Sequence, residues 1–509
     1  MEHQLLLVTL FLPLVGALFM ALFLPQEDEG AARGAALGIS LLTFAISVPL
    51  FFLFDAQRPG YQFELAWSPG GLGPFALDSF GASFKLGVDG ISLLLILLTT
   101  FLVPVSLLAS WRGIAKHVKS FHVAVLLLEF AMVGVFAARD LLLFFLFWEI
   151  MLVPMFLLIG VWGSEGRIRA AIKFFIYTAV GSLLMLAALA YVYVAAGRTF
   201  DLDVIEPLFA EMRADGLLGA RAQFWLCLAF AIAFAIKVPV FPVHTWLPHA
   251  HVQAPTAGSV ILAAVLLKMG GYGFLRFCLP LFPDGVAALA GPLCVLGAIG
   301  VVYGALMAIA QSDLKSLIAY SSISHLGLVV VGIFAGVGGA VAAGHARAVT
   351  GSVFQMIAHG LSTGALFFLV GAIYDRRHTK KIADLGGLAK PAPRMATCFV
   401  VASLASIALP GTAGFVGEIL ILMGVYENSV AFAALGATGM VLGAVYMLWA
   451  VQRVFFGPAR GENARMEDLG GVELAGLLPL LLAAVYLGLR PGPFLALLEP
   501  AVNALVQGS

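Results

Sequence analysis

The stretch from Phe224 to Arg276 limits the fold more than any other part of the chain. It reads FWLCLAFAIAFAIKVPVFPVHTWLPHAHVQAPTAGSVILAAVLLKMGGYGFLR, two apolar runs joined by an elbow rich in proline and histidine. Either run can cross a bilayer, which takes about 20 residues at ~1.5 Å per residue. Each carries a single lysine well inside it, Lys237 and Lys268. A cation at mid-membrane depth costs ~2.5–3.5 kcal/mol even on the most lenient insertion scale, so two of them demand a reason. Pro239 and Pro242 follow Lys237 closely; they remove backbone donors and break the helix beside the charge. The freed backbone groups need protein or water partners, which predicts a hydrated cavity in place of a lipid-facing surface. Charge, breakage and water together point to ion or proton movement.

The rest of the chain agrees. Of its 509 residues 61% are hydrophobic and 11% charged, against about 25% charged in a soluble domain. Mean hydropathy is +1.03. A net charge of zero argues against a nucleic-acid partner. Cys227, Cys278, Cys294 and Cys398 fall in apolar runs without CxxC spacing and read as small core residues. The N-terminal run has Glu2 where a signal peptide wants basic residues and is too long in its apolar part, so it reads as a retained first span.

Hydropathy predicts fourteen spans, near 4–24, 34–54, 88–110, 121–138, 141–162, 171–196, 222–248, 255–278, 286–309, 315–335, 350–373, 396–424, 429–456 and 472–489. Connections after odd-numbered spans, with the span ends that adjoin them, hold 17 of the 28 lysines and arginines, notably Arg112/Lys116/Lys119, Arg167/Arg169/Lys173 and the cluster from Arg376 to Arg394. The positive-inside rule then makes odd connections cytoplasmic and places both termini on the other side. Residues 56–87, with the Gly/Pro segment SPGGLGP, predict an extramembrane turn or hairpin, and the mixed-charge connection 197–221 predicts a short surface helix.

Two five-span units emerge, spans 4–8 and 9–13. Arg139-Asp140 opens span 5 and Ser312-Asp313 precedes span 10; span 7 breaks at Lys237-Val238-Pro239, and span 12 at Leu409-Pro410-Gly411. Interrupted helices at corresponding positions are a signature of inverted-repeat transporters, and the change of parity puts the units in opposite orientations. The expected fold is therefore an all-α polytopic membrane protein with about 14 transmembrane helices, two inverted five-helix repeats and broken helices 7 and 12. Its segments are 1–120, a first repeat 121–278, a second repeat 279–456 and a C-terminal helix and tail 457–509.

Titratable residues recur along the core spans. Glu149 lies deep in span 5, with Lys237 as its natural partner. At ~4 Å and an effective dielectric of ~20 such a pair is coupled by about 4 kcal/mol. Burial disfavours the charged lysine and a carboxylate favours it, so the lysine can exchange a proton when its partner changes. The competing reading of Glu149 is a carboxylate that only ties helices together. Lys268 is a second mid-membrane base, followed by Gly270, Gly271 and Gly273, which permit close packing or local unwinding; snorkelling is the alternative. Glu418 lies just beyond the span 12 break. His325 and His359 in spans 10 and 11 read either as packing residues or as proton relays. In the elbow, His249 and His251 do not share a helix face and the prolines keep the region irregular. A structural or hydrogen-bonding role is favoured there, with His244, nearest Lys237, as a link to water.

No GxGxxG on a strand, P-loop, CxxC cluster or facing bis-histidine pair is present, so nucleotide, flavin, iron–sulfur and haem chemistry are not expected in this chain. The segments KVPVFPVHTWLPHAHVQAPTAGSVILAAVLLKMGGYG, QSDLKSLIAYSSISHLG and LPGTAGFVGE resemble the antiporter-like membrane subunits of respiratory complex I and of Mrp-type cation/proton antiporters. Landmarks of the resemblance run from about Asp89 to Phe456. Glu418 favours the M-type branch of that family, since the L and N sisters and the Mrp homologues typically carry lysine there. The resemblance implies proton translocation coupled to quinone reduction elsewhere, with Glu149 and Lys237 as a coupled pair, Lys268 as connecting base and Glu418 as terminal group. It implies that FMN, iron–sulfur clusters and quinone bind in partner subunits, and that the chain packs between L-type and N-type sisters in a bacterial inner membrane. The tail after span 14 is too short for the long lateral helix of the L sister. The rival function is a Mrp-type cation/proton antiporter subunit; a third reading is a structural membrane spacer.

Overall fold

The computed structural model describes residues 2–58, 60–67, 81–339, 341–459 and 461–507. Among the described residues thirteen helical segments are long and apolar enough to cross a membrane. They match every expected span except span 12, which is present as two short helices, Pro393–Ser406 and Ala413–Asn428. Aspartates start several of the helices by accepting hydrogen bonds from first-turn amides: Asp89 from Ser92, Asp140 from Leu142 and Leu143, and Asp313 from Ser316. A hairpin of β1 (Gln62–Trp67) and β2 (Phe84–Val88) follows span 2, with Ala66 opposite Lys85. The SPGGLGP segment lies outside the described residues. The connection 197–221 contains the expected surface helix, Leu202–Ala214.

The two units carry matching backbone ties. Leu141 N–H donates to Phe200 O at 2.9 Å, and Leu314 N–H donates to Lys380 O at 2.9 Å. Each tie sits beside an isolated bridge, Asp140 to Asp201 and Asp313 to Lys381. Thus the entry to span 5 is pinned to the connection before span 7, as the entry to span 10 is pinned to the connection before span 12.

The basic connections gather on one face. Arg33 donates to Ile114 O, the Trp162 indole to Lys116 O, Ser164 to Gln253, Lys380 to Val252 O and Arg376 to Asp468 O. These bonds join all the odd connections except that between spans 9 and 10, which is added by the Leu314–Lys380 bond. On the opposite face Arg139 N–H donates to Lys85 O and Arg213 to Leu281 O, joining even connections.

Span 8 (Thr256–Leu281) and span 11 (Ala342–Arg377) form the centre; the most apolar stretch of each is wholly buried. Spans 1, 2, 13 and 14 lie outside them and expose much of their apolar surface. The close approach at the centre needs glycine. A Cβ on Gly270 would stand 2.5 Å from Phe234 O, and one on Gly417 would stand 2.6–2.8 Å from Gln355.

Four details differ from the sequence reading. Span 5 divides at Met151 into Leu141–Ile150 and Leu152–Trp162; Pro154 has no N–H for the Ile150 carbonyl, which loosens the helix there. Span 8 widens where unwinding was one expectation, with π-helical turns at Leu262–Leu266 and Phe274–Cys278 around its glycines. The elbow after span 7 is not irregular throughout, because Trp246–Gln253 is a regular two-turn helix. The tail forms a helix, Gly492–Gln507, whose Leu497, Leu498 and Val502 are buried, and it packs on span 3. Gly270→Val should destabilise the bundle by about 1–3 kcal/mol through overpacking, read as a lower thermal midpoint of the purified assembly. Gly291→Ala, where a Cβ meets nothing within 4 Å, should leave that midpoint unchanged.

Candidate functional site

The first cluster surrounds the break in span 7. Helix Ala220–Lys237 ends on Lys237 itself, so the ammonium sits at the carbonyl end of the helix, where a cation is favoured. The Trp246 indole returns to cap the freed Ile236 carbonyl at 2.9 Å. Lys237 is fully buried and its Nζ makes no protein hydrogen bond among the described residues. Its neighbours are the faces of Trp148, with the ring centre 4.9 Å away, and Phe174 at 5.8 Å. Two aromatic faces attract an ammonium by roughly 0.5–2 kcal/mol each. That is less than its lost hydration, so water has to complete the shell.

Glu149 lies next to Trp148 and is half-buried, with Oε1 enclosed and without a protein partner among the described residues. Its charge acts on Lys237, but no ion pair within 4 Å joins them, which corrects the expected direct contact. The physical reason is that Trp148, one residue before Glu149 on span 5, puts its ring against Lys237 and hydrogen-bonds to Ser182. The two groups interact through space.

The second cluster consists of two hydrogen-bonded groups set side by side. Lys268 Nζ lies 2.7 Å from His359 Nδ1 and donates to Ala263 O. Ala263 lies in the first π-helical turn, whose altered bonding leaves its carbonyl able to accept from the lysine. The ring of His359 lies 5.7 Å from that of His325, centre to centre. His325 Nδ1 is 2.9 Å from Glu418 Oε1, and its Nε2 is 3.2 Å from the Tyr446 hydroxyl. Gln355 Nε2 donates to the same Glu418 oxygen at 3.0 Å. Four of the residues singled out in the sequence, Lys268, His359, His325 and Glu418, therefore form one file through spans 8, 11, 10 and 12. All four are buried.

His244 does not join that file. It is buried, stacks on Phe241 at 5.6 Å and meets Tyr303 edge-on at 5.2 Å, with Nδ1 unbonded among the described residues. His249 is exposed and His251 fully buried, consistent with opposite faces of their helix. His251 stacks flat on Phe367 at 4.4 Å, and neither ring nitrogen bonds to the protein among the described residues. A hydrogen-bonding role for it is thus not supported; it lies within electrostatic reach of Lys268 and Lys315.

Sequence reasoning missed Glu129 in span 4. It is fully buried and neither carboxylate oxygen has a protein partner among the described residues. The signal was present, a lone acid inside VLLLEFAMVG. Gln355 and Tyr446 were also missed, because neutral polar side chains in long helices do not stand out until a partner is known.

A family model described as "NADH:quinone oxidoreductase/Mrp antiporter, TM" matches residues 138–443. NADH-quinone oxidoreductase subunit M of Rhodobacter capsulatus is 44% identical, with 100% of this chain and 97% of that relative aligned. NADH-ubiquinone oxidoreductase chain 4 of Arabidopsis thaliana is 41% identical over 97% of this chain and 95% of its own length. A chain of respiratory complex I from Thermus thermophilus superposes with a TM-score of 0.87 at 33% identity, covering 99% of both. A chain of the Mrp complex from Dietzia sp. DQ12-45-1b shares the fold, with a TM-score of 0.81 at 20% identity over 99% and 97%. The broken helices, the mid-membrane lysines and these matches lead to one statement: the chain belongs to the antiporter-like membrane subunits of the NADH:quinone oxidoreductase/Mrp antiporter family.

Proposed function

We propose that this chain is a proton-translocating, multi-pass membrane subunit of an NADH:quinone oxidoreductase. The observation that carries the reading is the file Lys268–His359–His325–Glu418, with bonded or near steps of 2.7, 5.7 and 2.9 Å. Lys268 lies against His359, so a proton can pass from Nζ to Nδ1 and onward through the imidazoles, with Glu418 as acceptor. The Glu149–Lys237 pair supplies the switch. Loss of negative charge at Glu149 favours release of the Lys237 proton into the hydrated break, from which Lys268 can take it. Gly270, two residues after Lys268, packs on Phe234 and Val238 beside that break. The repeats 121–278 and 279–456 then act as a donor half and an acceptor half.

No redox step is assigned to the chain. FMN, iron–sulfur clusters and quinone belong to partner subunits, and the driving signal arrives through contacts with L-type and N-type sisters. The face with the basic connections is taken as cytoplasmic, with both termini on the periplasmic side of a bacterial inner membrane. Glu418, held by His325 and Gln355, favours this reading over a Mrp-type antiporter subunit. Sodium-dependent transport in vesicles without quinone turnover would favour the antiporter instead.

In assembled complex, Glu149→Gln and Lys237→Ala should each lower NADH-driven proton pumping about tenfold or more, measured as acidification of inverted membrane vesicles. Unchanged pumping would leave only a structural spacer. Glu418→Lys should retain part of the activity, because the Gln355 amide oxygen and a His325 nitrogen can accept from an ammonium; Glu418→Leu should lose it. Equal loss in both variants would remove Glu418 from the relay.

A further inference from the structure

Span 8 carries more than Lys268. Lys268, Tyr272 and Arg276 follow at intervals of four and share one face of the helix. The Tyr272 hydroxyl is 3.1 Å from Ser92 Oγ and donates to Phe136 O at 3.2 Å. Ser92 N–H donates to Asp89 Oδ1 at 2.9 Å, and Asp89 Oδ2 pairs with Arg276 Nη2. Beyond the mid-membrane lysine, polar side chains thus recur one helical turn at a time, in a file that runs toward the face opposite the basic connections. It ends at a cavity of 310 Å³, lined by Arg58, Tyr61, Glu206 and apolar residues of the C-terminal helix as well as by Asp89 and Arg276. Such a file is a hazard in a pump, since a proton arriving at Lys268 could escape along it.

We propose that the Arg276–Asp89 pair is an electrostatic plug that keeps protons at Lys268 from leaking into this outer cavity. The proposal rests on the proton-translocating reading above. Three properties of the pair suit it to that task. A guanidinium cannot lose its proton in a protein, so Arg276 cannot hand one on as a histidine or tyrosine could. A fixed cation in a narrow polar passage also repels hydronium, a device used by channels that exclude protons. Finally, the plug is held in place. Arg276 lies over the Tyr61 ring at 5.1 Å and the Tyr272 ring at 5.5 Å, while Arg139 covers the same Tyr61 ring at 3.3 Å.

The test uses intact complex in inverted membrane vesicles. A proton gradient is built by NADH oxidation, turnover is stopped with a quinone-site inhibitor, and decay of the gradient is followed. Gradient formation by the parent tests the underlying function; passive decay tests the plug. Arg276→Gln should retain NADH:quinone turnover in detergent, yet its gradient should decay roughly threefold faster or more. Adding Tyr272→Phe, which removes the hydroxyl from the file, should restore slow decay. Asp89→Asn keeps both the helix cap and the cation and should stay tight. Parent-like decay in Arg276→Gln overturns the plug. So does a leak that Tyr272→Phe does not reverse, since disturbed packing would then be its route. If Arg276→Gln fails to assemble, a leaky Asp89→Asn is likewise fatal to the proposal.

Discussion

Inside a bilayer a charge has no bulk water to fall back on, and every feature of this protein's interior answers to that constraint. A lone ammonium in hydrocarbon is so unfavourable that it either neutralises or draws in partners. Lys237 draws in two aromatic faces, the carbonyl end of its own helix and the field of Glu149. Lys268 draws in a histidine and a backbone carbonyl within a π-helical turn. The means differ, but in both cases an irregular helix makes the solvation possible.

The irregularities are therefore functional parts of the scaffold. In the interior of a regular α-helix each carbonyl already accepts a backbone bond and offers a side chain only its second lone pair. Breaks at residues 238–245 and 407–412 and widened turns in span 8 release backbone groups at the depth where lysine, histidine and glutamate need them. The surrounding helices compensate by packing tightly. Gly270 and Gly417 bring spans 7 and 8, and spans 11 and 12, into backbone contact beside those breaks.

The two units use one plan with different chemistry. Matching aspartate caps and matching backbone ties fix the entry of spans 5 and 10. The first unit then presents a carboxylate and a lysine that communicate without touching. The second presents a carboxylate bonded directly to a histidine and a glutamine. An indirect pair changes its coupling with small shifts of water or of the Trp148 ring, whereas a bonded cluster holds its geometry. Beyond Lys268 the buried Arg276–Asp89 pair faces outward, so the same helix that carries Lys268 also carries a permanent charge at its outer end.

The number of spans, their alternation across the membrane, the interrupted helices and most titratable positions were legible in the sequence. The reason is that the bilayer acts on each residue locally: length, hydropathy, proline and isolated charge suffice to read its effect. What the sequence left open was pairing. The π-helical turns of span 8, which lie against spans 7 and 11, have no compositional mark. Glu149 and Lys237 were expected to touch, and the ring of Trp148 stands against the lysine instead. His325 and His359 could have been packing residues, and only the crossing of spans 8, 10, 11 and 12 aligns them between Lys268 and Glu418. A one-dimensional pattern states the cost of each buried polar group, but which partner offsets that cost depends on helices far apart in the chain, and tertiary structure alone brings them together.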